Sequence, residues 1–565
     1  MPRRSHKKKD LSLLIGILLI VFLVNVINQS FFFRLDLTSE KRYTLSEESK
    51  DFLRGLKDIV FVRVYLDGEL NIPFRKFRQS IQDMLDEFRI YGKSNLHYEF
   101  ENPFENALPV DQNKIIEDLY NRGLAPSNIH SRDNEAGVSE KIVFPGAIIS
   151  YKDYEMPVNL LQNKRGQNAD QNLNSSMESL EYNLISTIKN LTASEISKIA
   201  FIEGHGELAE PQVNDISKEL SKTFQIDRGI IGGNPGILDE YKVIIVADPT
   251  EAFSEQDKFV IDQYIMQGGR VLWVLDAIEA SLDSLIGGET MAFIRELNLE
   301  DQLFRYGVRI NPELIQDIQC SFLPVNVALA GNAPNFQLAP WFYYPLLNPN
   351  PEHPICQNLN VVQGKFVCPV DTPGIRPDME KTVLLSTSPY CKTRQVPALI
   401  SLSETSKEPN INEFSGPELI AGILLEGSFE SAFTNRPLDA YFEDPPSFTE
   451  RSVKTRMAVL SDGDLIRNEV RFSGGRPVID PLGYDRYTEQ TYANKDLIAN
   501  LIQYLAGDDN LLALRGRTFK LRLLDKERVN SERTKWVLLN MLFPSLIVLL
   551  FGAGYLYYRK RRYSK

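Results

Sequence analysis

Two long apolar runs, one at each end of the chain, constrain this protein more than any other feature of its sequence. Residues 11–27 are apolar except for Ser12, Gly16 and Asn25, and three phenylalanines follow at 31–33. Residues 536–558 contain no charged side chain. Each run is close to the roughly 20 residues that a helix needs to cross a bilayer. The sequence therefore predicts two single transmembrane helices, at 11–33 and 536–558.

Basic tails flank both runs. Residues 1–10 and 559–565 each hold five Lys or Arg residues, and the positive-inside rule predicts that both tails are cytoplasmic. The basic leader also fits a signal peptide, but no A-x-A-like cleavage site follows, so we interpret the first run as an uncleaved anchor. The predicted location is the inner (cytoplasmic) membrane, with both termini cytoplasmic and the bulk of the chain periplasmic.

The charge of the region between the tails excludes one class of partner. The two tails hold ten basic residues and one Asp, so the remaining chain has 53 basic and 74 acidic residues, a net charge of −21. Nucleic acid binding needs clustered Lys and Arg to displace counterions. We therefore expect no nucleic acid partner.

The order of apolar patterns predicts an α/β fold with two extracytoplasmic domains. In residues 45–165, strand and helix patterns alternate in a thioredoxin-like order, without the C-x-x-C motif of thioredoxin chemistry. Residues 177–510 repeat the alternation and predict a doubly wound, amidotransferase-like parallel sheet. This second domain contains an excursion rich in Pro and aromatic residues at 323–354, and residues 511–535 form a membrane-proximal connector.

Several polar residues follow predicted strands of the second domain. His205 and Glu207 lie in the motif GHGE at 204–207, and four aspartates occupy the same position after other strands, namely Asp248, Asp276, Asp462 and Asp464. Ligands bind beyond the carboxyl ends of such strands, so these groups are candidates to bind a divalent cation or an amine. The alternative is structural, with the glycines forming a tight turn and the acids capping helices.

The sequence contains few of the motifs that are typical of enzymes. The chain has no G-x-S-x-G and no P-loop motif, and no Cys between 194 and 276 to act as a nucleophile. We expect a protein that is not an enzyme and has no cofactor. The four cysteines, Cys320, Cys356, Cys368 and Cys391, either form disulfides, with Cys356 and Cys368 the nearest pair, or are buried thiols.

Four segments carry a resemblance to a known family. They are FIEGHGE at 201–207, the run from 253 to 273, PWFYYP at 340–345 and GSFESAF at 427–433. The chain resembles the GldG family of gliding-associated ABC-transporter auxiliary proteins of Bacteroidota. The resemblance implies a multi-spanning ABC permease and a cytoplasmic ABC ATPase as partners, and a link to gliding motility.

Three hypotheses of function follow. The first is a non-catalytic component of the ABC complex that couples permease motion to an extracytoplasmic partner. The second is a conventional substrate-binding component, although two anchors and no lipid-attachment Cys suit a fixed part better than a mobile receptor. The third is an enzyme on an amidotransferase-like scaffold.

Overall fold

The computed structural model describes most of the chain. It covers residues 44–507 and 526–563, together with Ser12, residues 14–20 and Phe22, apart from gaps at 106–107, 109–110, 134–136, 163–167, 194–195, 327, 329–334, 375–376, 407–408, 439–440 and 443–445. Most of the predicted N-terminal span therefore lies outside the described residues. So do the N-terminal basic tail, the last two residues of the C-terminal tail and residues 511–525 of the connector. Residues 44–507 belong to one compact unit and the C-terminal helix to another.

The C-terminal helix Lys526–Tyr563 contains the apolar run of the sequence. Its segment Ser531–Arg561 contains an 18-residue window with a mean hydropathy of 2.1, and it is long and apolar enough to cross a membrane. The predicted span at 536–558 falls inside this segment.

A four-stranded sheet forms the N-terminal part of the larger unit. Its strands, in spatial order, are Leu96–Phe100, Val60–Val64, Gly146–Tyr151 and Tyr154–Asn159, of which only the first pair is parallel. The helices are Glu47–Arg54, Ile72–Gly92 and Gln112–Asn121, a short 3-10 turn follows at Lys93–Asn95, and a hairpin joins Ser127–Asp133 to Gly137–Val143.

Apolar spacing explains the packing of this sheet. Val60, Val62 and Val64 alternate along their strand and are all buried. Helix Ile72–Gly92 begins at Asn71, whose side chain accepts from the Phe74 N–H, and it lays one apolar face on the sheet.

Two further helices extend this N-terminal core. Ala169–Glu178 and Leu180–Thr192 contribute Leu173, Leu184 and Ile188 to the same apolar cluster. Residues 177–192, which were predicted to open the second domain, pack in the same apolar cluster as the N-terminal sheet. The sequence does not indicate which sheet these helices cover, because an amphipathic helix that lies between two sheets in the chain can pack on either sheet.

Helix Leu180–Thr192 also bonds to two later elements, the helix Asn494–Leu505 and the segment that follows helix Asn214–Leu220. Gln503 Nε2 donates to the hydroxyl of Tyr182, and Asn190 Nδ2 donates to the carbonyl of Lys222, 2.6 Å away. We call these two bonds the helix junction. They connect the N-terminal core directly to the part of the unit that follows it.

The central sheet has ten strands and two halves of different character. Five strands are parallel, in the spatial order Gln225–Ile230, Lys198–Glu203, Val243–Ala247, Arg270–Val274 and Thr455–Leu460. Four antiparallel strands continue from the last of these, Ile420–Gly427, Met379–Ser386, Phe336–Pro349 and Cys320–Asn326, and Val362–Gln363 pairs beside them.

The prediction of a parallel sheet is therefore correct for one half and wrong for the other. Parallel neighbours need a crossover connection, usually a helix, whereas the antiparallel strands are joined by hairpins and loops. The excursion predicted at 323–354 is part of this half. Its Pro and aromatic residues form two paired strands at the edge of the sheet.

Helices cover both faces of the parallel half. Asn214–Leu220 and Asn494–Leu505 pack on one face, and Glu255–Met266 and Glu300–Tyr306 on the other. Smaller strands complete the fold at Ile278–Glu279, Glu289–Ile294, Arg309–Ile310, Glu313–Asp317, Val370–Asp371, Cys391–Gln395, Ala398–Ser401, Val470–Ser473, Arg476–Ile479, Tyr484–Asp485 and Gln490–Thr491. Short 3-10 turns lie at Glu210–Val213, Asp283–Gly287, Leu402–Ser406, Ile411–Glu413 and Gly463–Leu465.

All four cysteines are free thiols buried in the protein. Of the two alternatives that the sequence left open, the structure has buried thiols. Burial also raises the pKa of Cys320 and Cys356 to about 12, which keeps both thiols protonated at neutral pH.

Replacing Leu460 by Ala tests the central position of its strand. Leu460 is fully buried between the two halves of the sheet, so the free energy of unfolding should fall by about 2–5 kcal/mol. Leu399→Ala, at a position that is 45% exposed, is the control and should change it by less than about 0.5 kcal/mol. Urea denaturation of the purified chain measures both, and equal shifts would contradict the assignment.

Candidate functional site

The sequence-predicted site residues lie at the carboxyl ends of four neighbouring parallel strands. His205 and Glu207 follow Lys198–Glu203, and Asp248 follows the adjacent strand Val243–Ala247. Asp276 follows the next strand, and Asp462 and Asp464 follow the one after that. All six residues thus lie along one edge of the sheet, as the strand order requires.

The order of the strands identifies a topological switch point. From Lys198–Glu203 the chain goes to Gln225–Ile230 on one side and then returns to Val243–Ala247 on the other. In open α/β sheets the crevice at such a point is where ligands bind. In this protein the crevice lies between the loop of His205 and the loop of Asp248.

The protein's own backbone closes this crevice. The carbonyl of His205 accepts hydrogen bonds from the N–H groups of Thr250 and Glu251, at 2.9 and 2.8 Å. Gly206 has a φ of 72°, and a Cβ built on it would lie 2.0 Å from the hydroxyl oxygen of Thr250. Because only glycine fits there, Gly206 of the GHGE motif allows the two loops to contact each other closely.

His205 is held between two carboxylates. Its Nδ1 lies 3.1 Å from Glu207 Oε1, and its Nε2 lies 3.1 Å from Asp257 Oδ2. Its ring stacks on Phe253 with centroids 3.7 Å apart. Burial opposes protonation, but the hydrogen bonds and charges of Glu207 and Asp257 outweigh it, so the pKa of His205 lies above its ordinary 6.5.

Asp257 ties this histidine to a helix. It is in the first turn of helix Glu255–Met266, where its carboxylate also accepts from the Ser254 hydroxyl and from the Gly233 N–H, at 2.9 and 2.7 Å. The sequence analysis named Glu207 as a neighbour of His205 but missed Asp257. The spacing from Ser254 to Asp257 does mark a helix start, yet nothing in it indicates a distant histidine.

The four aspartates form a second group, which we call the aspartate cluster. Gly463 N–H donates to Asp276 Oδ1 at 2.6 Å, and Asp464 N–H donates to Asp462 Oδ1 at 2.8 Å. A Cβ on Gly463 would lie 2.4 Å from the carboxyl carbon of Asp248. The loop at 462–464 is thus packed directly against the ends of the two neighbouring strands.

Two arginines and one backbone N–H, none of them predicted from the sequence, balance the cluster. Arg295 Nη1 binds Asp248 Oδ1 at 2.7 Å and lies 3.9 Å from Asp276 Oδ2. Arg467 Nη1 lies 3.4 Å from Asp464, and the Lys365 backbone N–H donates to Asp462 Oδ2 at 2.7 Å. Arg295 and Lys365 come from segments without a strand-end signal, so no local pattern indicated them.

Burial and mutual repulsion favour protonated carboxyls in the cluster. Burial raises the pKa of Asp276 well above its usual range, and the charges of the other three aspartates raise it further. Burial and the charge of Asp464 likewise raise the pKa of Asp462, and burial raises the pKa of Asp248 despite Arg295. Asp248 also has a φ of 50°, which is unusual for a residue other than glycine.

The two groups remain chemically distinct. The carboxylates bonded to His205 come from Glu207 and Asp257, and none of the four aspartates bonds to its ring. Within the described part of the chain, no set of three or more His, Cys, Asp or Glu side chains has the arrangement of a metal site. The arrangement fixes four loops at one edge of the sheet by hydrogen bonds and ion pairs.

A buried carboxylate explains the GSFESAF segment at 427–433. Asp262, which is fully buried, accepts from the Ser431 hydroxyl at 2.6 Å and from the Ala432 N–H at 2.8 Å. It also accepts from the hydroxyl of Tyr306 at 2.8 Å. The segment therefore anchors the chain against helix Glu255–Met266, which is a structural role.

Two family models match this chain. The one described as "ABC-type uncharacterized transport system" matches residues 197–501, more than half of the chain, and a domain of unknown function, DUF7088, matches residues 39–150. The fold and the first match define an auxiliary component of an ABC-type transport system. The chain belongs to this family of ABC-type uncharacterized transport system proteins, and all four segments of the sequence resemblance lie inside the matched region.

Two individual proteins are also similar. An uncharacterized protein of Borreliella burgdorferi is 19% identical over 565 residues, which is 98% of each chain. The solved mmIFT52 N-terminal domain is 15% identical, over 55% of this chain and 97% of its own, with a TM-score of 0.31. That score is too low to establish a common fold.

Replacing His205 by Ala should make stability less dependent on pH. The raised pKa means that the imidazolium stabilises the folded state fully below pH 6.5, and that this contribution is lost as pH rises through the folded-state pKa. The variant should lose about 3 kcal/mol at pH 6, because two buried carboxylates lose their partner, and less at higher pH. Urea unfolding at pH 6 and pH 8 measures this, and the exposed His97→Ala is the control. Parallel pH profiles of wild type and His205→Ala would refute the prediction.

Two Asp→Asn variants should differ in the aspartate cluster. Asp276 accepts one backbone N–H, and the amide carbonyl of Asp276→Asn retains this bond while the mutual repulsion is removed, so this variant should keep or raise the melting temperature at pH 7. Asp462 accepts one N–H on each oxygen, so Asp462→Asn leaves one N–H unpaired and should cost about 1–3 kcal/mol. Thermal unfolding compares them, and the reverse order would contradict these roles.

Proposed function

We propose that this protein is a non-catalytic membrane component of an ABC complex, which couples motion of the permease to an extracytoplasmic partner. One observation carries the proposal: the crevice at the topological switch point is closed by His205, Gly206, Thr250 and Glu251 of the protein itself. A chain that fills this crevice with its own backbone is better suited to transmit contacts than to hold a substrate there.

One cavity lies outside the candidate site. Ligand sites of drug-sized molecules are usually about 300–1,000 Å³ and have a few convergent polar groups. A cavity of about 240 Å³ lies beside helix Glu255–Met266, lined in part by Phe259, Gln263 and Tyr264. It lies away from the six predicted site residues, and Gln263 and Tyr264 already have partners within the protein.

The membrane topology forms part of the proposal. Helices at 11–33 and 536–558 anchor the chain in the inner membrane, both termini are cytoplasmic, and the region between them is periplasmic. The described apolar segment Ser531–Arg561 supports the second anchor, and the basic tails support the orientation.

We further propose two periplasmic domains. The first takes in residues 45–192, because helices Ala169–Glu178 and Leu180–Thr192 pack with the N-terminal sheet, whose strand order is thioredoxin-like. The second takes in residues 197–507 and contains the mixed central sheet. The sequence contains no C-x-x-C motif in either of these proposed domains.

The partners in this proposal are a multi-spanning ABC permease and a cytoplasmic ABC ATPase. Membership of the family supports association with an ABC transport system. The link to gliding motility rests on the sequence resemblance of the four segments to the GldG family.

The alternative is a substrate-binding component that recognises an amine. The observation in its favour is the aspartate cluster, which gathers Asp248, Asp276, Asp462 and Asp464 at one edge. Asp464 is the most exposed of the four, at 17%, and would be the first to meet a ligand. Binding of methylammonium that raises the melting temperature of the wild type, but not of Asp464→Asn, would favour this alternative.

Affinity purification tests the main proposal. The tagged full-length protein, extracted from membranes in mild detergent, should retain a permease and an ATPase, and the rate of ATP hydrolysis should differ about fivefold or more between complexes with and without this chain. An unrelated single-span protein with the same tag is the control. Recovery without either partner would contradict membership of a complex, and an unchanged hydrolysis rate would contradict coupling.

A further inference from the structure

An uncharged stretch of the chain has a distinct position in the fold. Residues 318–351 contain no Lys, Arg, Asp, Glu or His over 34 residues, between Asp317 and Glu352. At the 24% charged content of the whole chain, a run of this length would hold about eight charged side chains. The stretch includes the antiparallel strands Cys320–Asn326 and Phe336–Pro349, which we call the edge hairpin.

The register of the edge hairpin separates its two faces. Phe322 is opposite Pro340, Pro324 is opposite Leu338, and Asn326 is opposite Phe336, so these six side chains share one face. Leu323 lies on the other face and is buried in a cluster with Trp341 and Tyr343. One face of the hairpin therefore packs on the protein at Leu323, Trp341 and Tyr343, although Gln337 of this face is exposed, and the other face points away from the protein.

The outward face is uncharged and mostly apolar, with Asn326 as its polar side chain, and its large apolar residues are exposed. Phe322 is 43% exposed, Leu338 is 51% exposed and Phe336 is 64% exposed. The base of the same hairpin is different, since Trp341, Tyr343 and Tyr344 are buried. The aromatic residues of PWFYYP thus pack in the core. The exposed surface is formed by Phe322, Phe336 and Leu338, which precede this motif in the chain.

The lack of charge decides what kind of partner fits this face. A protein interface has a polar rim, and the uncharged hairpin supplies no charged side chain for one. The hairpin also brings no charged side chain to the apolar layer of a bilayer, where a charge is strongly disfavoured, so a bilayer is the partner that fits. The chain also carries the segment Ser531–Arg561, which is long and apolar enough to keep the protein at a membrane.

We propose that the outward face of the edge hairpin, formed by Phe322, Pro324, Phe336 and Leu338, inserts into the interfacial layer of the bilayer. Phe and Leu side chains bind there by burying apolar surface, without electrostatic attraction to lipid headgroups. Pro324 lies in the strand at the edge of the sheet and has no N–H, which removes one backbone donor that lipid could not satisfy. This contact is independent of the proposed role in coupling.

A fluorescent label at position 336 tests the contact in the full-length chain. The four native thiols are buried, so Phe336→Cys provides an accessible thiol for an environment-sensitive dye. The matched control is Phe472→Cys, because Phe472 is 77% exposed on another hairpin, Val470–Ser473 with Arg476–Ile479, beside Arg471. Both proteins are reconstituted in nanodiscs of phosphatidylcholine, with or without lipids that carry a nitroxide quencher near the headgroup.

The proposal predicts about a twofold or greater loss of fluorescence at position 336 when the nitroxide lipid is present, unchanged by salt, and no loss at position 472. Adding Leu338→Asp beside the label should reduce the quenching, while circular dichroism and the melting temperature report whether the variant folds. No quenching at 336, or equal quenching at both positions, would overturn the proposal. Shielding of the dye from water only when transporter subunits are bound, without lipid quenching, would assign the face to a protein partner and would also overturn it.

Discussion

The strand Thr455–Leu460 is the element on which the rest of this fold depends. It pairs in parallel with Arg270–Val274 on one side and antiparallel with Ile420–Gly427 on the other, so both halves of the central sheet meet at this strand. The residue after it continues the connection, since the hydroxyl of Ser461 donates to the carbonyl of Cys368 and its N–H donates to the carbonyl of Ala421. The backbone is then directed into the loop at 462–464. The aspartate cluster therefore lies where the two halves of the sheet join. The pairing of the strands at this position determines the geometry of the cluster.

This origin explains why the strand ends form a rigid edge. Neighbouring parallel strands bring Asp248, Asp276 and Asp462 together, and isolated carboxylates so close would repel one another. Arg295, raised pKa values and backbone N–H donors offset the repulsion. At the adjacent switch point, the loops of His205 and Asp248 bond to each other. Both arrangements favour fixed geometry over an open cleft, which is consistent with an auxiliary part of a transport system.

The sequence was informative wherever a local pattern decides the structure. The alternation of strand and helix expected in residues 45–165 is present, for example in Val60–Val64, Ile72–Gly92 and Leu96–Phe100. The convergence of the six candidate residues at one edge followed from strand order alone. The antiparallel half could not be predicted in the same way, because pairing between strands such as Met379–Ser386 and Ile420–Gly427 has no signature in either strand. Asp257 and Arg295 were missed for the same reason, since each acts on a residue about 50 positions away.

The helix junction has a mechanical consequence. Helix Asn494–Leu505 is the last described helix of the larger unit, and Gln503 on this helix bonds to Tyr182, whose helix packs in the N-terminal core. The N-terminal core and this helix are thus joined directly. A tensile force applied at the C-terminal side of this unit would reach the N-terminal core through this contact without first shearing the ten-stranded sheet. The unit would therefore resist extension as a single body, because its N-terminal core and its helix Asn494–Leu505 are held together.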